Sequence, residues 1–394
     1  MLVGLVGKPN CGKSTFFKAA TLAEVLIANY PFATIKPNRG VGYVKVDCID
    51  KEFNVQCNPR TGFCLNHIRF VPTELLDVAG LVPGAHEGKG LGNQFLDDLR
   101  QADAFLQIVD LSGRTDIEGK PTENYDVTKD ILFLEEELDL WMLGMMERAW
   151  KSFTRKAQAE EMPLHDAVVK QFSGLKVNSG QVKTSILKSG LNPEKAENWT
   201  RDDLLKFVKI LRKLSKPMAV VGNKCDTPKA AENLQKLREA FPEMMIIPAS
   251  AEAEVFLRTL AKDGVIEYIA GEKHFKVKKE DVLDEKQKMA LTLIEDKILR
   301  VYGSTGVQDA LNKVVFDLLK YIAIFPAGSK LADSKGNILP DCYLLPGGST
   351  ALDFAYSLHT DLGKNFIRAI DARTKMVVGK DHKLKNRDGI EIVT

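Results

Sequence analysis

Short, nearly continuous apolar runs recur along the chain and predict buried strands. The runs are Met1–Val6, Phe105–Asp110, Pro217–Gly222 and Met244–Pro248. Runs that are apolar at successive positions, rather than at alternate ones, are typical of parallel strands that helices cover on both faces. The pattern therefore predicts an α/β domain built on a mostly parallel sheet flanked by helices.

The apolar positions take helical spacing in the middle of the chain, where about a hundred residues separate the second run from the third. Apolar residues recur there at steps of three and four: Ile131, Leu134, Leu138, Trp141 and Met145, then Leu204, Val208 and Leu211. This spacing places them along one face of a helix. It predicts a helical arm inserted into the α/β domain, and an antiparallel coiled coil is one form that such an arm can take.

Short strand-like runs alternate with turns after residue 326, which indicates a separate C-terminal domain. Thr350–Asp353 has the pattern of a capping box at the start of a helix, and Val377–Val378 and Ile390–Val393 are predicted strands. Strands around a single helix in about 65 residues predict a small β-grasp domain. The predicted segments are the α/β domain in two parts (1–118 and 215–326), the inserted arm (119–214) and the C-terminal domain (327–394).

The composition is that of an ordinary globular protein. The chain has 394 residues, of which 44% are hydrophobic and 27% charged, and its formal net charge is +2. These values exclude a disordered or fibrous chain and a polycation. The six cysteines are scattered, and no run reaches the ~18 apolar residues of a membrane span. We therefore expect a cytoplasmic protein with no membrane partner.

The residues after the first predicted strand match the phosphate-binding pattern G-x-x-x-x-G-K-[ST]. They are Gly7, Lys8, Pro9, Asn10, Cys11, Gly12, Lys13, Ser14 and Thr15. The glycines let backbone N–H groups point at phosphate oxygens, and the helix that begins at Lys13 adds its positive end. We expect Lys13 to reach the β- and γ-phosphates and Ser14 to bind Mg²⁺. A glycine-rich turn that binds nothing is the alternative.

Three more positions are expected near the γ-phosphate and Mg²⁺. Asp77 ends a strand and would hold Mg²⁺ through water, while the N–H of Gly80 would sense the γ-phosphate. Thr34 lies between the two motifs, where it can close over both groups. An ordinary strand-ending turn is the alternative interpretation of Asp77 and Gly80.

The segments that follow the last two predicted strands suit guanine. The Asp226 carboxylate can accept hydrogen bonds from N1–H and N2–H₂ of guanine together, whereas adenine has an acceptor at N1 and lacks the second amine. Lys224 would lay its stem on the base, and a backbone N–H could meet guanine O6. The residues expected to read the base are Asn223, Lys224, Asp226, Ser250 and Ala251.

Three stretches resemble the Obg superfamily of GTPases and, within it, the archaeal YchF-related branch. They are Tyr30–Thr34, Asp77–Gly80 and Gly84–Phe95, and the resemblance extends over nearly the whole chain. It implies a Mg²⁺-dependent GTPase that hydrolyses GTP to GDP and acts as a nucleotide switch. Bacterial and eukaryotic YchF members usually have Glu at the position of Asp226, and many prefer ATP. Because this chain has Asp there, we predict that it prefers GTP.

The stretch Leu345–Gly363 resembles a TGS domain, which implies contact with RNA or the ribosome. Residues 364–388 hold eight Lys or Arg against three Asp, and residues 148–190 of the arm hold eight basic and three acidic side chains. We therefore predict that the TGS domain and the arm contact the ribosome or a structured RNA. The alternatives are a solubilising surface on the TGS domain and, in the arm, two limbs of opposite charge that attract each other.

The group that assists hydrolysis is not evident from the motifs. Leu81 follows the Asp77–Gly80 box, and its side chain cannot hydrogen-bond the attacking water. In related GTPases an Asn at the position of Asn10 coordinates K⁺ beside the phosphates, and the resemblance extends this role to Asn10. The alternative is that Asn10 only shapes the turn. His86 and Glu87 can also position water, or they are solvated loop residues.

Two further alternatives concern the whole protein. Slow intrinsic hydrolysis is expected of an unassisted switch, and Leu81 also suits a nucleotide-gated RNA- or ribosome-binding module whose hydrolysis is incidental. Cys48, Cys57, Cys64 and His67 are residue types that bind zinc. Their spacing lacks the paired C-x₂-C of common zinc sites, so an irregular loop is the alternative.

Overall fold

The structure is a computed structural model that describes residues 1–21, 39–78, 80, 83–84, 100–328, 331–333 and 335–394. The chain divides into two compact units. Unit 1 comprises Met1–Ala19 and Glu74–Ala310, and unit 2 comprises Ala20–Thr73 and Leu311–Thr394. No helix in the described ranges is long and apolar enough to cross a membrane.

The strands and helices follow in chain order. The strands are β1 (Leu2–Val6), β2 (Arg39–Asp47), β3 (Phe63–Leu65), β4 (Ile68–Asp77), β5 (Ala104–Asp110), β6 (Met218–Asn223), β7 (Ile246–Pro248), β8 (Ile266–Glu267), β9 (Lys276–Val277), β10 (Tyr321–Pro326), β11 (Tyr343–Pro346), β12 (Arg368–Asp371), β13 (Val377–Val378) and β14 (Asp388–Val393). The α-helices are α1 (Lys13–Thr21), α2 (Thr128–Glu147), α3 (Trp150–Ala159), α4 (Leu164–Gln171), α5 (Ser179–Ser189), α6 (Arg201–Ser215), α7 (Ala230–Ala240), α8 (Ala251–Lys262), α9 (Glu285–Ile294), α10 (Arg300–Tyr302), α11 (Val307–Asn312), α12 (Ala351–Leu358) and α13 (Thr360–Lys364).

Unit 1 is built on a parallel sheet in the order end of β4, β1, β5, β6, β7. All seven residues of β5 and all six of β6 are buried, as expected of strands with apolar side chains on both faces. The register pairs Leu5 with Asp77 and Asp110 with Asn223, so the carboxyl ends of these strands lie at one edge of the sheet. The predicted α/β fold with a mostly parallel sheet is therefore confirmed.

The inserted segment of unit 1 is helical, as predicted, but its geometry differs from a paired coiled coil. Helices α2 to α6 pack around a shared core that also receives Phe105 and Met218 of the sheet. The Trp150 ring stacks on that of Trp199, with centroids 5.3 Å apart. Its indole N–H donates to the carbonyl of Ala196. Large aromatic rings fill the middle of the bundle, where Trp150 also packs against Phe153 and Phe207.

Unit 2 contains the C-terminal domain, a five-stranded mixed sheet in the order β11-β10-β14-β12-β13. Strands β10 and β14 are parallel and the other pairs are antiparallel. Helix α12 begins at a capping box of Thr350 and Asp353 and buries Phe354 against the sheet. The predicted β-grasp fold is confirmed, and its first strand begins at Tyr321, ahead of the predicted start at residue 327.

Unit 2 also includes β2, the antiparallel hairpin β3–β4 and the segment between β2 and β3. The sequence pattern assigned these residues to the nucleotide-binding domain. In the structure they cluster with the C-terminal strands. The N–H of Asn58 donates to the carbonyl of Ile338, and the N–H of Arg60 donates to the carbonyl of Pro340. These pairs are hundreds of residues apart, and a local sequence pattern carries no information about such pairing.

Candidate nucleotide-binding site

The phosphate-binding motif forms the connection between β1 and α1. Gly12 has a φ of +91°, and a Cβ atom at this position would clash with Nδ2 of Asn223. Both facts require glycine here. Helix α1 begins at Lys13, so its unpaired N–H groups and its positive end belong to the same loop. The local geometry is therefore that of a loop able to hold an anion.

Asn223 joins two of the predicted motifs. Its Nδ2 donates to the carbonyl of Cys11 at 3.1 Å, and its Oδ1 accepts from the N–H of Ala251 at 3.1 Å. The side chain is only 3% exposed. Sequence reasoning grouped Asn223 with the residues that read the base. In the structure both ends of its amide hold loops together, so Asn223 fixes the phosphate loop against the segment Ser250–Ala251.

Lys224 extends the same connection. Its Nζ lies 2.7 Å from Oδ2 of Asp110 and 3.2 Å from the carbonyl oxygen of Asn10. Asp110 is fully buried, which opposes its ionisation, but hydrogen bonds from Lys224 and Ser112 keep its pKa below the usual value. The sequence motifs did not single out Asp110. The available signal was a carboxylate at the end of a buried strand that is apolar except at Gln107, a position that needs a charged partner.

The base-reading residues lie beside a cleft. Asp226 is exposed and Ser250 is buried, and both line a cavity of about 300 Å³. Its other walls come from α8, α9 and the π-helical segment Glu295–Leu299 that follows α9: Glu252, Ala253, Phe256, Ala290, Leu293, Ile294, Lys297 and Ile298. The N–H of Cys225 donates to the carbonyl of Ala249, which ties the two loops. The arrangement offers a carboxylate at the rim of a partly apolar cleft, which suits a flat base.

The predicted Mg²⁺ residues Ser14 and Asp77 are in contact. The Ser14 hydroxyl donates to Oδ2 of Asp77 at 3.1 Å, and the other oxygen, Oδ1, is buried without a hydrogen-bond partner in the described residues. Burial raises the pKa of Asp77, and the nearby charge of Lys13 and the Ser14 hydrogen bond partly offset that rise. A hydroxyl beside an unsatisfied carboxylate oxygen is a donor set that Mg²⁺ takes. These residues therefore fit the ion.

Gly80 lies against the phosphate loop. A Cβ atom at this position would be 3.2 Å from the Cγ and N atoms of Pro9. A side chain here would push on the loop, so glycine permits the close approach. The predicted residues Thr34, Leu81, His86 and Glu87 lie outside the described residues.

Two residues of the phosphate loop hold side-chain contacts that the motif alone did not indicate. The ammonium of Lys8 is 3.0 Å from Oδ2 of Asp130 and lies 4.0 Å from the ring centroid of Tyr125. Because these contacts engage the side chain of Lys8, only its backbone N–H is expected to contact a phosphate. The side-chain amide of Asn10 donates to the carbonyl of Gly119 at 2.9 Å, which is the type of contact expected if Asn10 shapes the turn.

Comparison with known protein families matches three stretches of the chain to family models. Residues 2–140 match the model of a 50S ribosome-binding GTPase. Residues 221–328 match the G4 motif-containing domain of YGR210-like Obg-like GTPases, and residues 322–394 match the TGS domain. The matches follow the two parts of the parallel sheet and the C-terminal sheet in order.

Whole-chain relatives support the same assignment. An uncharacterized GTP-binding protein of Methanocaldococcus jannaschii is 47% identical over 100% of this chain and 99% of its own. The crystal structure of a GTP-binding protein from Pyrococcus horikoshii has a TM-score of 0.81 at 38% identity and covers 100% of both chains. The ribosome-binding ATPase YchF of Bacillus subtilis is 31% identical over 94% of this chain and 87% of its own. The chain therefore belongs to the YchF-like GTPases of the Obg family, with a P-loop GTPase domain and a C-terminal TGS domain.

Proposed function

We propose that this protein is a Mg²⁺-dependent GTPase that hydrolyses GTP to GDP and phosphate and acts as a nucleotide switch on the ribosome. The observation that carries the proposal is the tie made by Asn223, which brings the phosphate loop and the base-reading loops into one site. In this account Lys13 binds the β- and γ-phosphates. Ser14, Thr34 and Asp77 hold Mg²⁺, and Gly80 senses the γ-phosphate.

The preference for GTP over ATP rests on Asp226. Its exposed carboxylate can accept two hydrogen bonds from guanine, and its place at the rim of the cleft supports this use. Selectivity needs its own test, because the Bacillus subtilis relative is named an ATPase. Two charge-assisted hydrogen bonds contribute about 1.5–3 kcal/mol each, so we expect at least tenfold preference for GTP.

The substitution Asp226→Asn tests this role. The substitution replaces a carboxylate oxygen, which accepts a hydrogen bond, with an amide NH₂, which donates one. The new NH₂ can donate to the carbonyl that xanthine carries in place of the guanine amine. We expect the variant to lose GTP affinity by at least tenfold and to gain affinity for XTP, measured by competition against a fluorescent nucleotide. Asp263→Asn is the matched control, since Asp263 is exposed in the same unit. Unchanged GTP affinity in the Asp226 variant would remove the proposed base contact.

Assistance to hydrolysis is assigned to Asn10 with a K⁺ ion. The Asn10 amide nitrogen is occupied by the Gly119 carbonyl, and the amide oxygen is the atom that suits a cation. Unassisted turnover should be on the order of 10⁻³ s⁻¹, as for other switches without an activating partner. We expect faster GTP turnover in KCl than in NaCl. Equal rates in the two salts would leave Asn10 with the structural role alone.

The proposed partner is the ribosome, contacted through the TGS domain and the helical insertion. On the TGS domain, the exposed side chains of Lys364, Arg368 and Lys375 lie near exposed Ile367 and Met376 in the sequence. Mixed basic and apolar surfaces of this kind suit RNA–protein assemblies. The Bacillus subtilis relative is named a ribosome-binding ATPase, which also supports the ribosome as partner.

Binding to purified ribosomes should fall steeply as salt is raised, because phosphate contacts release counterions. The double variant Lys364→Ala/Arg368→Ala should bind ribosomes more weakly, with unchanged affinity for GTP. Lys278→Ala, an exposed lysine of unit 1, is the control. Ribosome binding without any effect of nucleotide or of ribosomes on turnover would favour the alternative function, a binding module whose hydrolysis is incidental.

A further inference from the structure

Three cysteines and one aspartate of unit 2 form a compact cluster that the nucleotide site does not use. Cys48 follows β2, Cys57 lies before the hairpin, Cys64 is in β3, and Asp50 is in the 3₁₀ turn Ile49–Phe53. Their ligand atoms all lie within 4.8 Å of one another. The chain brings them together because the N–H of Cys48 donates to the carbonyl of His67, which closes the segment into a loop. Asp50 was not among the candidates from the sequence.

The spacing of the cluster fits a tetrahedral metal ion. Zinc–sulfur bonds of about 2.3 Å and zinc–oxygen bonds of about 2.1 Å place ligands about 3.8 Å (S···S) and 3.6 Å (S···O) apart. The Sγ atoms of Cys48 and Cys57 are 3.6 Å apart, and Sγ of Cys64 is 3.9 Å from Oδ2 of Asp50. A disulfide would need about 2.0 Å between the sulfur atoms. The two thiols are therefore not joined in a disulfide, and their separation is close to that of two thiolates on one zinc ion.

The surroundings hold the aspartate in place. The N–H of Cys57 donates to Oδ2 of Asp50 at 3.0 Å, and Nδ1 of His67 is 2.9 Å from Oδ1. Asp50 is fully buried, and Cys48 and Cys57 are nearly so. Carboxylates that bind metal ions are themselves held by hydrogen bonds from neighbouring groups, and the Cys57 N–H and the His67 ring are such neighbours of Asp50.

The charge of the neighbouring Arg69 also suits an occupied site. Arg69 is fully buried in unit 2 and interacts electrostatically with Cys57, with Cys342 outside the cluster, and with Cys48. Three thiolates, one carboxylate and a divalent ion carry a net charge of −2, which a buried guanidinium partly neutralises. Its Nη2 donates to the carbonyl of Leu339 at 2.5 Å.

We propose that Cys48, Cys57, Cys64 and Asp50 bind one structural Zn²⁺, and that His67 orients Asp50. Soft thiolate ligands select zinc over magnesium or calcium, and four protein ligands close the coordination shell. A closed site leaves no position for a substrate, so the role of the ion is structural. Binding requires the thiolate form, and the three thiol protons go to solvent.

The ion would anchor the loop that holds the TGS sheet. Within unit 2, a Cβ atom on Gly389 of β14 would lie 2.9 Å from the side chain of Ile49, so loop and strand are in close contact. Glu52 pairs with Arg373 and with Arg387, and Arg60 pairs with Asp341. All of these contacts come from the segment that the four ligands fold. Loss of the ion should therefore loosen the TGS domain while the nucleotide site of unit 1 keeps its fold.

The test is the zinc content of the purified full-length protein. We expect one zinc per chain by elemental analysis, none in Cys57→Ser and one in Cys342→Ser, a buried cysteine of the same unit outside the cluster. His67→Ala should keep one zinc but bind it about 10–100-fold more weakly. Limited proteolysis should cleave the zinc-free protein near the TGS domain while GTP affinity stays unchanged.

A second measurement does not depend on whether a variant folds. The wild-type protein, stripped with a chelator under reducing conditions, is titrated with Co²⁺ alone. We expect the thiolate-to-cobalt absorption and the strong visible bands of a tetrahedral site at one equivalent. The proposal would be overturned if the purified wild-type protein lacks zinc and the stripped protein shows no such bands with Co²⁺. A Cys48–Cys57 disulfide in the purified wild-type protein, detected as the loss of two hydrogens in the mass, would also overturn it. Equal zinc in wild type and Cys57→Ser would do the same.

Discussion

Replacement of Asn223 by alanine removes the tie between the phosphate loop and the base-reading loop. The change leaves the carbonyl of Cys11 and the N–H of Ala251 without their partner in a site where Asn223 is only 3% exposed. Each buried group left unsatisfied costs about 1–3 kcal/mol, so the variant loses roughly 2–6 kcal/mol in total. Part of this cost lowers the stability of the free protein. The rest weakens the binding of GTP, because GTP contacts both loops.

We expect about 2 kcal/mol of the loss to appear in binding, which is about a 30-fold increase in the Kd for GTP. The assay is a titration with a fluorescent GTP analogue, together with a thermal melt of the nucleotide-free protein. Asn233→Ala is the matched control. Asn233 is also a buried asparagine of unit 1, and its Nδ2 donates at 2.8 Å to the carbonyl of Leu111, which belongs neither to the phosphate loop nor to the segment Ser250–Ala251.

The control should lose stability and keep its affinity for GTP, whereas Asn223→Ala should lose both. If the two variants bind GTP equally well after correction for the folded fraction, the tie is a packing contact. The reasoning that makes Asn223 the link between the two halves of the site would then be refuted.

Two further predictions concern charged side chains of unit 1. Asp77→Asn should abolish Mg²⁺-dependent tightening of GTP binding. Burial raises the folded-state pKa of Asp77 above its unfolded value, so the free energy of unfolding of the metal-free wild type should rise as pH falls through that pKa. The variant should lack this rise when urea unfolding is measured against pH. Arg212→Ala should lower the free energy of unfolding by about 3–5 kcal/mol, because it leaves Asp139 and Glu135 of the helical insertion without the buried cationic partner that they share. Arg201→Ala, which removes an exposed arginine, should lower it by less than about 1 kcal/mol in the same assay.

Much of the α/β domain could be predicted because its signals are local. The phosphate loop is a contiguous motif between an apolar strand and a helix, and β5 and β6 are short runs without polar interruption except at Gln107. The TGS domain was likewise predictable, because its helix begins at a capping box whose residues, Thr350 and Asp353, are recognisable in the sequence. In each case neighbouring residues determine the structure, so the pattern is sufficient.

The remaining features depend on pairs that are far apart in the chain. Lys8 and Asp130 form a buried ion pair, and Asn223 reaches Cys11 across more than two hundred residues. Periodicity shows that a side chain is buried, but it does not identify the partner. The same limit applies to the cysteine cluster. The spacing of the cysteines fits no common zinc motif, and the fourth ligand, Asp50, is recognisable only after the loop is folded.

The most direct test of the central claim is GTP turnover by the full chain with and without Mg²⁺, for wild type and for Ser14→Ala. Ser14 donates to Asp77 at the proposed Mg²⁺ position, and its loss should leave the fold of the phosphate loop in place. The account predicts slow turnover by wild type with Mg²⁺, a rise in rate with ribosomes, and loss of activity in EDTA and in the variant. Turnover that persists at the wild-type rate in Ser14→Ala, or that does not need Mg²⁺, would contradict it.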